Sequence, residues 1–277
     1  MLKKTVLISL TIFLMLTGKI FAQDRFPYRS IDEDDTWVAL ANFTIFYHLF
    51  IKDDVKPLTI DEINKLNRQK IPFFDRFAID NYSPVSAKWS DRLLISSVAV
   101  STLSSFILPV FNADSKKDYL WQFLNLAKLT FTVNYLCISF TDFSKITFTR
   151  PRPYVYRSDT TFDKFTQDAR FSFFSGHTSI AAANCFLAAR LCYDYYPEAK
   201  WKKFVLIGAA IFPACVGYLR VDAGKHFLSD VVTGYAVGAL CGWFYPKTLK
   251  INQNKTKISL FPFQSGRYNG LAAQITF

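Results

Sequence analysis

Hydrophobic positions along this chain fall in long unbroken blocks. Five of them, at about 93–111, 119–140, 178–196, 203–219 and 227–245, are long enough to cross a hydrocarbon core as helices, the fourth at the short end. None shows the two-residue alternation of a barrel strand. The pattern predicts an all-α, membrane-embedded helical bundle with its core at 92–246. Ahead of it, Lys3 and Lys4, an apolar run over 6–16 and Ile20-Phe21-Ala22 read as a signal peptide over 1–22, cleaved after Ala22. A polar and amphipathic connector over 23–91 follows. Its apolar run at 37–51 is interrupted by Asn42 and His48 and is short for a crossing, so an interfacial or packed helix is expected there. Residues 58–68 have the spacing of a short amphipathic helix with Thr59 near its start. In the tail, 247–277, Ser265-Gly266 and Asn269-Gly270 between apolar runs predict one or two short strands.

Composition strengthens the membrane reading: 51% of the residues are hydrophobic and 17% aromatic, with a mean hydropathy of +0.13. The formal net charge of +11 comes without a basic tract or nucleic-acid motif, so nucleic acid is excluded as a partner and anionic lipid headgroups account for the excess. The five cysteines lie in apolar stretches without metal-type spacing and read as buried free thiols. Lys128, inside the second apolar block, is expected to face the bundle interior.

The chemistry is concentrated between Lys145 and Asp230, in three clusters. The first is Lys145, six residues, then Arg152-Pro153, with Arg150-Pro151 inside the gap. The second is Ser175-Gly176-His177, and the third is Arg220, five residues, His226, three residues, Asp230. Arginine presents a planar fork that matches phosphate oxygens and lysine a compact point charge, so together they suit a phosphoryl group. A Ser-Gly-His turn opening a helix aims backbone N–H groups and the positive end of the helix dipole at the same anion. One turn apart on a helix, His226 and Asp230 would share a face, and the carboxylate would hold the imidazole in one tautomer. Separately, Lys145 and Arg152 could be interfacial anchors and Ser175-Gly176 a common turn. Three cations gathered with two of the chain's three histidines call for an anion.

These residues resemble the type 2 phosphatidic acid phosphatase superfamily, whose motifs are Lys-x6-Arg-Pro, Pro-Ser-Gly-His and Ser-Arg-x5-His-x3-Asp. Phe174 stands where the pattern has Pro and Leu219 where it has Ser, which is expected to alter loop packing only. The resemblance implies that Lys145, Arg152, Ser175, Gly176 and Arg220 bind phosphate, that His226, oriented by Asp230, attacks phosphorus, and that His177 protonates the leaving oxygen. Neither metal nor cofactor is needed in that scheme. The implied protein is a membrane lipid phosphate or pyrophosphate phosphatase. Its substrate would be phosphatidic acid, phosphatidylglycerol phosphate, undecaprenyl pyrophosphate or a lipid A phosphate, and its oligomeric state is open. A soluble class A acid phosphatase, a vanadium haloperoxidase and a non-enzymatic scaffold are the alternatives. The basic turn at 200–203 and the basic tail after Pro246 belong on the cytoplasmic side. That orientation makes the chain a multi-pass inner-membrane protein with its site facing the periplasm.

Overall fold

The computed structural model describes residues 26–28, 55–160, 162 and 164–251, together with the backbone of 257–265 and 268–276. The leader at 1–22 and the run at 37–51 lie outside the described residues. A short helix, α1 (Ile60–Asn64), precedes five long ones: α2 (Pro84–Asn112), α3 (Lys116–Phe148), α4 (Gly176–Tyr195), α5 (Lys202–Asp222) and α6 (Leu228–Leu249). A two-stranded antiparallel hairpin, β1 (Lys257–Ser265) and β2 (Tyr268–Thr276), closes the chain. Asn269-Gly270, read as a turn signal, falls within β2, opposite Gln264 and Phe263.

The helix boundaries follow from capping chemistry. Ser83 and Ser115 accept the backbone N–H of Ser86 and Asp118 at the starts of α2 and α3, each at 3.1 Å. Thr59 and Glu62 form a reciprocal capping box on α1, confirming Thr59 as a start signal for a helix shorter than expected. The five long helices run up and down. One end of the bundle gathers the starts of α2, α4 and α6 with the finishes of α3 and α5. Phe26–Tyr28 join the other end, where Tyr28 bridges Lys250 and its hydroxyl donates to Asp194 at 2.8 Å. Val55 is already at the first end, its carbonyl accepting from Gln167.

Helix α4 is the axis of the fold, touching α2, α3, α5 and α6. Its closest partner is α6. At Gly234, Gly238 and Gly242, four residues apart, a Cβ would run into the backbone carbonyls of Ser175, Ser179 and Ala183. The small-residue stripe therefore lets the two backbones meet directly. Several polar side chains in the apolar blocks pair with one another inside the bundle, while the Asn125 side-chain oxygen has no hydrogen-bond partner among the described residues. Asn134 and Asn184 exchange amide hydrogen bonds at 2.7 and 3.0 Å, Ser101 donates to Asn184, and Ser105 pairs with Thr130 at 2.9 Å. Lys128 is buried, as expected for an interior-facing charge.

Among the described residues, three helices are long and apolar enough to cross a membrane: α2, α3 and α5. Helices α4 and α6, expected to do the same, fall outside that set: α4 carries Ser, Thr, Asn and Arg on its buried face, and α6 has Asp230 in its first turn and Pro246 and Lys247 in its last. The outward faces of α2, α5 and α6 expose Ile95, Phe106, Phe111, Phe204, Ile211 and Phe244, an apolar surface suited to lipid. All five cysteines are free, but only Cys137, Cys185 and Cys241 are buried. Cys215 lies on the exposed face of α5, which corrects the reading of buried thiols.

Candidate active site

The site lies at the end of the bundle where α3 and α5 finish and α4 begins. Two loops, 149–175 and 223–227, carry the remaining groups. The first is pinned where Arg152 N–H donates to the Ala169 carbonyl at 2.9 Å, and Tyr154 N–H ties it to the Gly224 carbonyl at 3.0 Å. Gly224 has φ +67°, and a Cβ there would strike the Asn81 carbonyl oxygen. Glycine is therefore required where the chain turns between Arg220 and His226.

Arg152 and His226 are in contact. The His226 ring is buried, its Nδ1 2.7 Å from the Ser172 carbonyl and its Nε2 2.9 Å from the Arg152 guanidinium. A carbonyl can only accept, so Nδ1 carries the proton and Nε2 presents its lone pair. Arg152 is held by Asp168, through Nε to the backbone carbonyl at 2.8 Å and NH2 to Oδ1 at 2.7 Å, and NH1 also donates to the Lys225 carbonyl at 3.0 Å. Burial and the charges of Arg152, Arg220, Lys145 and His177 push the imidazole pKa of His226 well below its ordinary value. Burial alone would raise the Asp168 carboxyl, but Arg152, with Lys145 and His226, holds it down at about 2.

The expected His226–Asp230 hydrogen bond is absent. His226 Nδ1 and Asp230 Oδ2 are 3.7 Å apart. The physical reason is where α6 starts: Phe227 is its N-cap, so His226 precedes the helix and shares no helical face with Asp230. Asp230 instead accepts the Phe227 backbone N–H at 2.8 Å, the Ser172 hydroxyl at 2.5 Å and Arg150 NH1 at 2.6 Å. It reaches the imidazole at one remove, by fixing the residue whose carbonyl holds Nδ1. Arg150 in turn bonds Asp75, which also accepts from Ser229, and stacks over the Phe227 ring at 4.0 Å. Its charge is spent on this clamp.

On the other wall, His177 Nε2 lies 2.7 Å from Asp91 Oδ1, and Arg220 NH1 is 3.5 Å from the same oxygen. Arg220 is buried, and its Nε has no hydrogen-bond partner among the described residues. Lys145 sits beside Gly176, where a Cβ would come within 3.6 Å of its Nζ and 3.2 Å of Thr141. Ser175 is the N-cap of α4, its hydroxyl engaged with Thr178 Oγ1 at 2.9 Å, and Gly176 and His177 form the first turn at the positive end of the helix dipole, with Lys145 beside Gly176. Phe174, in the position of the motif proline, is buried, meets the Phe173 ring edge-on and lines an apolar cleft with Phe140, Phe143, Phe148, Val237 and Leu240.

All eight residues singled out in the sequence thus gather at one end of the bundle, Asp230 and Ser175 in roles nearer to scaffolding than expected. Asp91, Asp168, Ser172 and Lys225 were missed. Lys225 adjoins the histidine, with its Nζ over the rings of Phe162 and Tyr154 at 3.5 and 4.8 Å. Burial, Arg152 and Arg220 lower its pKa to about 8. Four cations, Lys145, Arg152, Arg220 and Lys225, therefore face two carboxylates, Asp91 and Asp168.

Residues 122–253 match the PAP2 superfamily. Among curated proteins, the chain is 33% identical over 90 residues to phosphatidylglycerophosphatase B of Bacillus subtilis (strain 168), covering 32% of this chain and 44% of that one. It is 41% identical over 85 residues to phospholipid phosphatase 2 of Rattus norvegicus, covering 26% and 28%. The chain therefore spans less than half the length of these relatives. A solved structure, the transmembrane PAP2 type phosphatidylglycerolphosphate phosphatase from Bacillus subtilis, aligns with a TM-score of 0.48 at 19% identity over 78% of this chain and 98% of that one.

Proposed function

We propose, from the match of residues 122–253 to the PAP2 superfamily, that this chain hydrolyses the phosphate of a membrane lipid through a phosphohistidine on His226. The observation that carries this reading is a neutral imidazole whose Nε2 lone pair faces the buried Arg152 guanidinium, with Arg220, Lys145 and Lys225 close by. The lipid would keep its tails in hydrocarbon beside α2, α3 or α5 and present its headgroup to the cluster. A soluble class A enzyme is the weaker reading, because three helices are long and apolar enough to cross a membrane.

In this scheme Arg152, Arg220, Lys145 and the amides of Gly176 and His177 take the phosphoryl oxygens and neutralise the charge of the transition state. Arg152 NH1 leaves His226 Nε2 for a phosphate oxygen, and the freed lone pair attacks phosphorus. The bond from phosphorus to the lipid oxygen breaks with its electrons on that oxygen, which takes a proton from His177. Water then attacks the phosphohistidine, its proton passing to His177 and the N–P pair returning to His226. Asp230 acts through Ser172 and the start of α6, and Ser175 caps the helix that aims the amides.

Phosphate release from phosphatidic acid, phosphatidylglycerol phosphate, undecaprenyl pyrophosphate and lipid A tests the reading. Turnover of at least one is expected, and turnover of none contradicts it. The basic turns at 116–117 and 200–203 and Lys250 all lie at the end of the bundle opposite the site, which supports an inner-membrane orientation with the site facing the periplasm. Tyr28 shares that basic end. Signal cleavage on the outer face after Ala22 would put Tyr28, and with it Lys250, outside, so of these two expectations we keep the basic-end orientation and drop the cleavage. Single cysteines at Asp159 and Lys250, in a cysteine-free background, should label with an impermeant thiol reagent at Asp159 only. Labelling at Lys250 alone reverses the orientation.

A further inference from the structure

The mechanism above leaves one carboxylate in the site without a task. Asp91, on the first turns of α2, is more than half exposed, yet its Oδ1 is 2.7 Å from His177 Nε2 and 3.5 Å from Arg220 NH1. A carboxylate in a phosphate-binding cluster repels the substrate, so its presence there has to bring a gain elsewhere. His177 is otherwise faced by positive charge: Arg220 from α5, Arg152 from the 149–175 loop, and the His226 ring, against which its own charge would act. Burial and these charges hold the His177 imidazole pKa down at about 4 even beside Asp91, and the Asp91 carboxylate is the group that opposes them, so the proton the reaction needs depends on that pair.

We propose that Asp91 is the positioning residue of the general acid and base, pairing with His177 as its imidazolium and fixing which ring nitrogen meets the substrate. This rests on the phosphatase reading of the same site. With Nε2–H donating to Asp91, Nδ1 is the nitrogen that exchanges a proton with the leaving oxygen and then with water. The carboxylate supports the charge that His177 holds before the first step and after the second. Its contact with Arg220 also ties the acid to one arm of the phosphate cluster, so that acid and anion site keep one spacing. No co-reactant is needed, because the proton that leaves His177 with the alcohol returns from the attacking water.

The role makes a demand that a purely structural one does not. Protonation matters most when the leaving oxygen is a poor leaving group, as in an alkyl phosphate, and least when it is a stable phenolate. Full-length Asp91→Asn protein in lipid nanodiscs would be compared with wild type on phosphatidic acid and on 4-nitrophenyl phosphate. The expected loss in kcat/KM is roughly 10- to 100-fold on the lipid and less than about threefold on the aryl ester, whose first step needs little acid. Asp91→Glu should recover part of the lipid activity. In a His177→Ala background, Asp91→Asn should add no further loss, since the partner it acts through is gone. Equal losses on both substrates, no loss on either, or a full additional loss in the His177→Ala background would each overturn the proposal while leaving the phosphatase reading standing. If wild type turns over another of the four lipids instead of phosphatidic acid, that lipid takes its place in the comparison, and a wild-type protein that releases phosphate from none of the four would overturn both.

Discussion

The two ends of this bundle carry the same kinds of charged side chain and pair them differently. At the basic end, Asp194 accepts Arg190 through both carboxylate oxygens at 2.6 and 2.9 Å, Lys250 at 2.6 Å and the Tyr28 hydroxyl at 2.8 Å, while Arg190 also lies over the Trp243 ring. One carboxylate with three donors closes this cluster on itself and ties α4 to the chain beyond α6. At the site end, Asp168 restrains Arg152, Asp91 reaches His177 and Arg220, and Lys145 and Lys225 add two further cations. A cluster that satisfies its own donors is scaffold. One that leaves the buried Arg220 Nε without a partner among the described residues and gathers four cations about a neutral imidazole is suited to an anion it does not itself supply.

Substitutions at the two ends should therefore fail in different ways. The largest expected effect is at His226: replacement by alanine removes the proposed nucleophile and should lower turnover by at least ~10³-fold, with unchanged elution of the detergent-solubilised protein. Near-normal turnover would contradict the assignment. Asp230→Asn should slow the enzyme by roughly 10- to 100-fold without abolishing it, because the Ser172 carbonyl continues to hold Nδ1. At the basic end, Asp194→Asn should leave kcat within about twofold and lower stability by about 1–3 kcal/mol, read from thermal unfolding in detergent. A large loss of kcat with unchanged stability would erase the contrast between the two ends.

How much of this was readable in the sequence depended on whether a residue belonged to a local pattern. Lys145, Arg152, His177, Arg220 and His226 stand at fixed spacings inside two loops and three helix ends, and the fold gathers them as those spacings imply. The role of Asp230 was misread because a four-residue spacing suggests one helical face, whereas α6 begins only at Leu228 and makes Asp230 a capping residue. Asp91 meets His177 across 86 residues and Asp75 meets Arg150 across 75. A single aspartate carries no period, and nothing short of the packed bundle points it at a partner. The glycine stripe of α6 was present in the letters, but which helix it admits depends on the whole arrangement.

The smallest effect expected is in the pH profile. Because the His226 pKa lies below the ordinary histidine value of about 6.5, the nucleophile stays neutral as pH falls through 6.5. The acid limb of kcat/KM should therefore have its midpoint below that value. An acid limb centred at or above it would mean that the surrounding cations do not act on the ring.

The central claim is that the cations at the site end hold a phosphoryl group while His226 takes it. Rapid alkaline quenching of the enzyme during turnover of phosphatidic acid, followed by peptide mass spectrometry, tests this directly. The account requires an acid-labile, alkali-stable phosphoryl group on His226 that is missing from His226→Ala. A phosphoryl group found on His177, or full turnover with none trapped on any histidine, would contradict it.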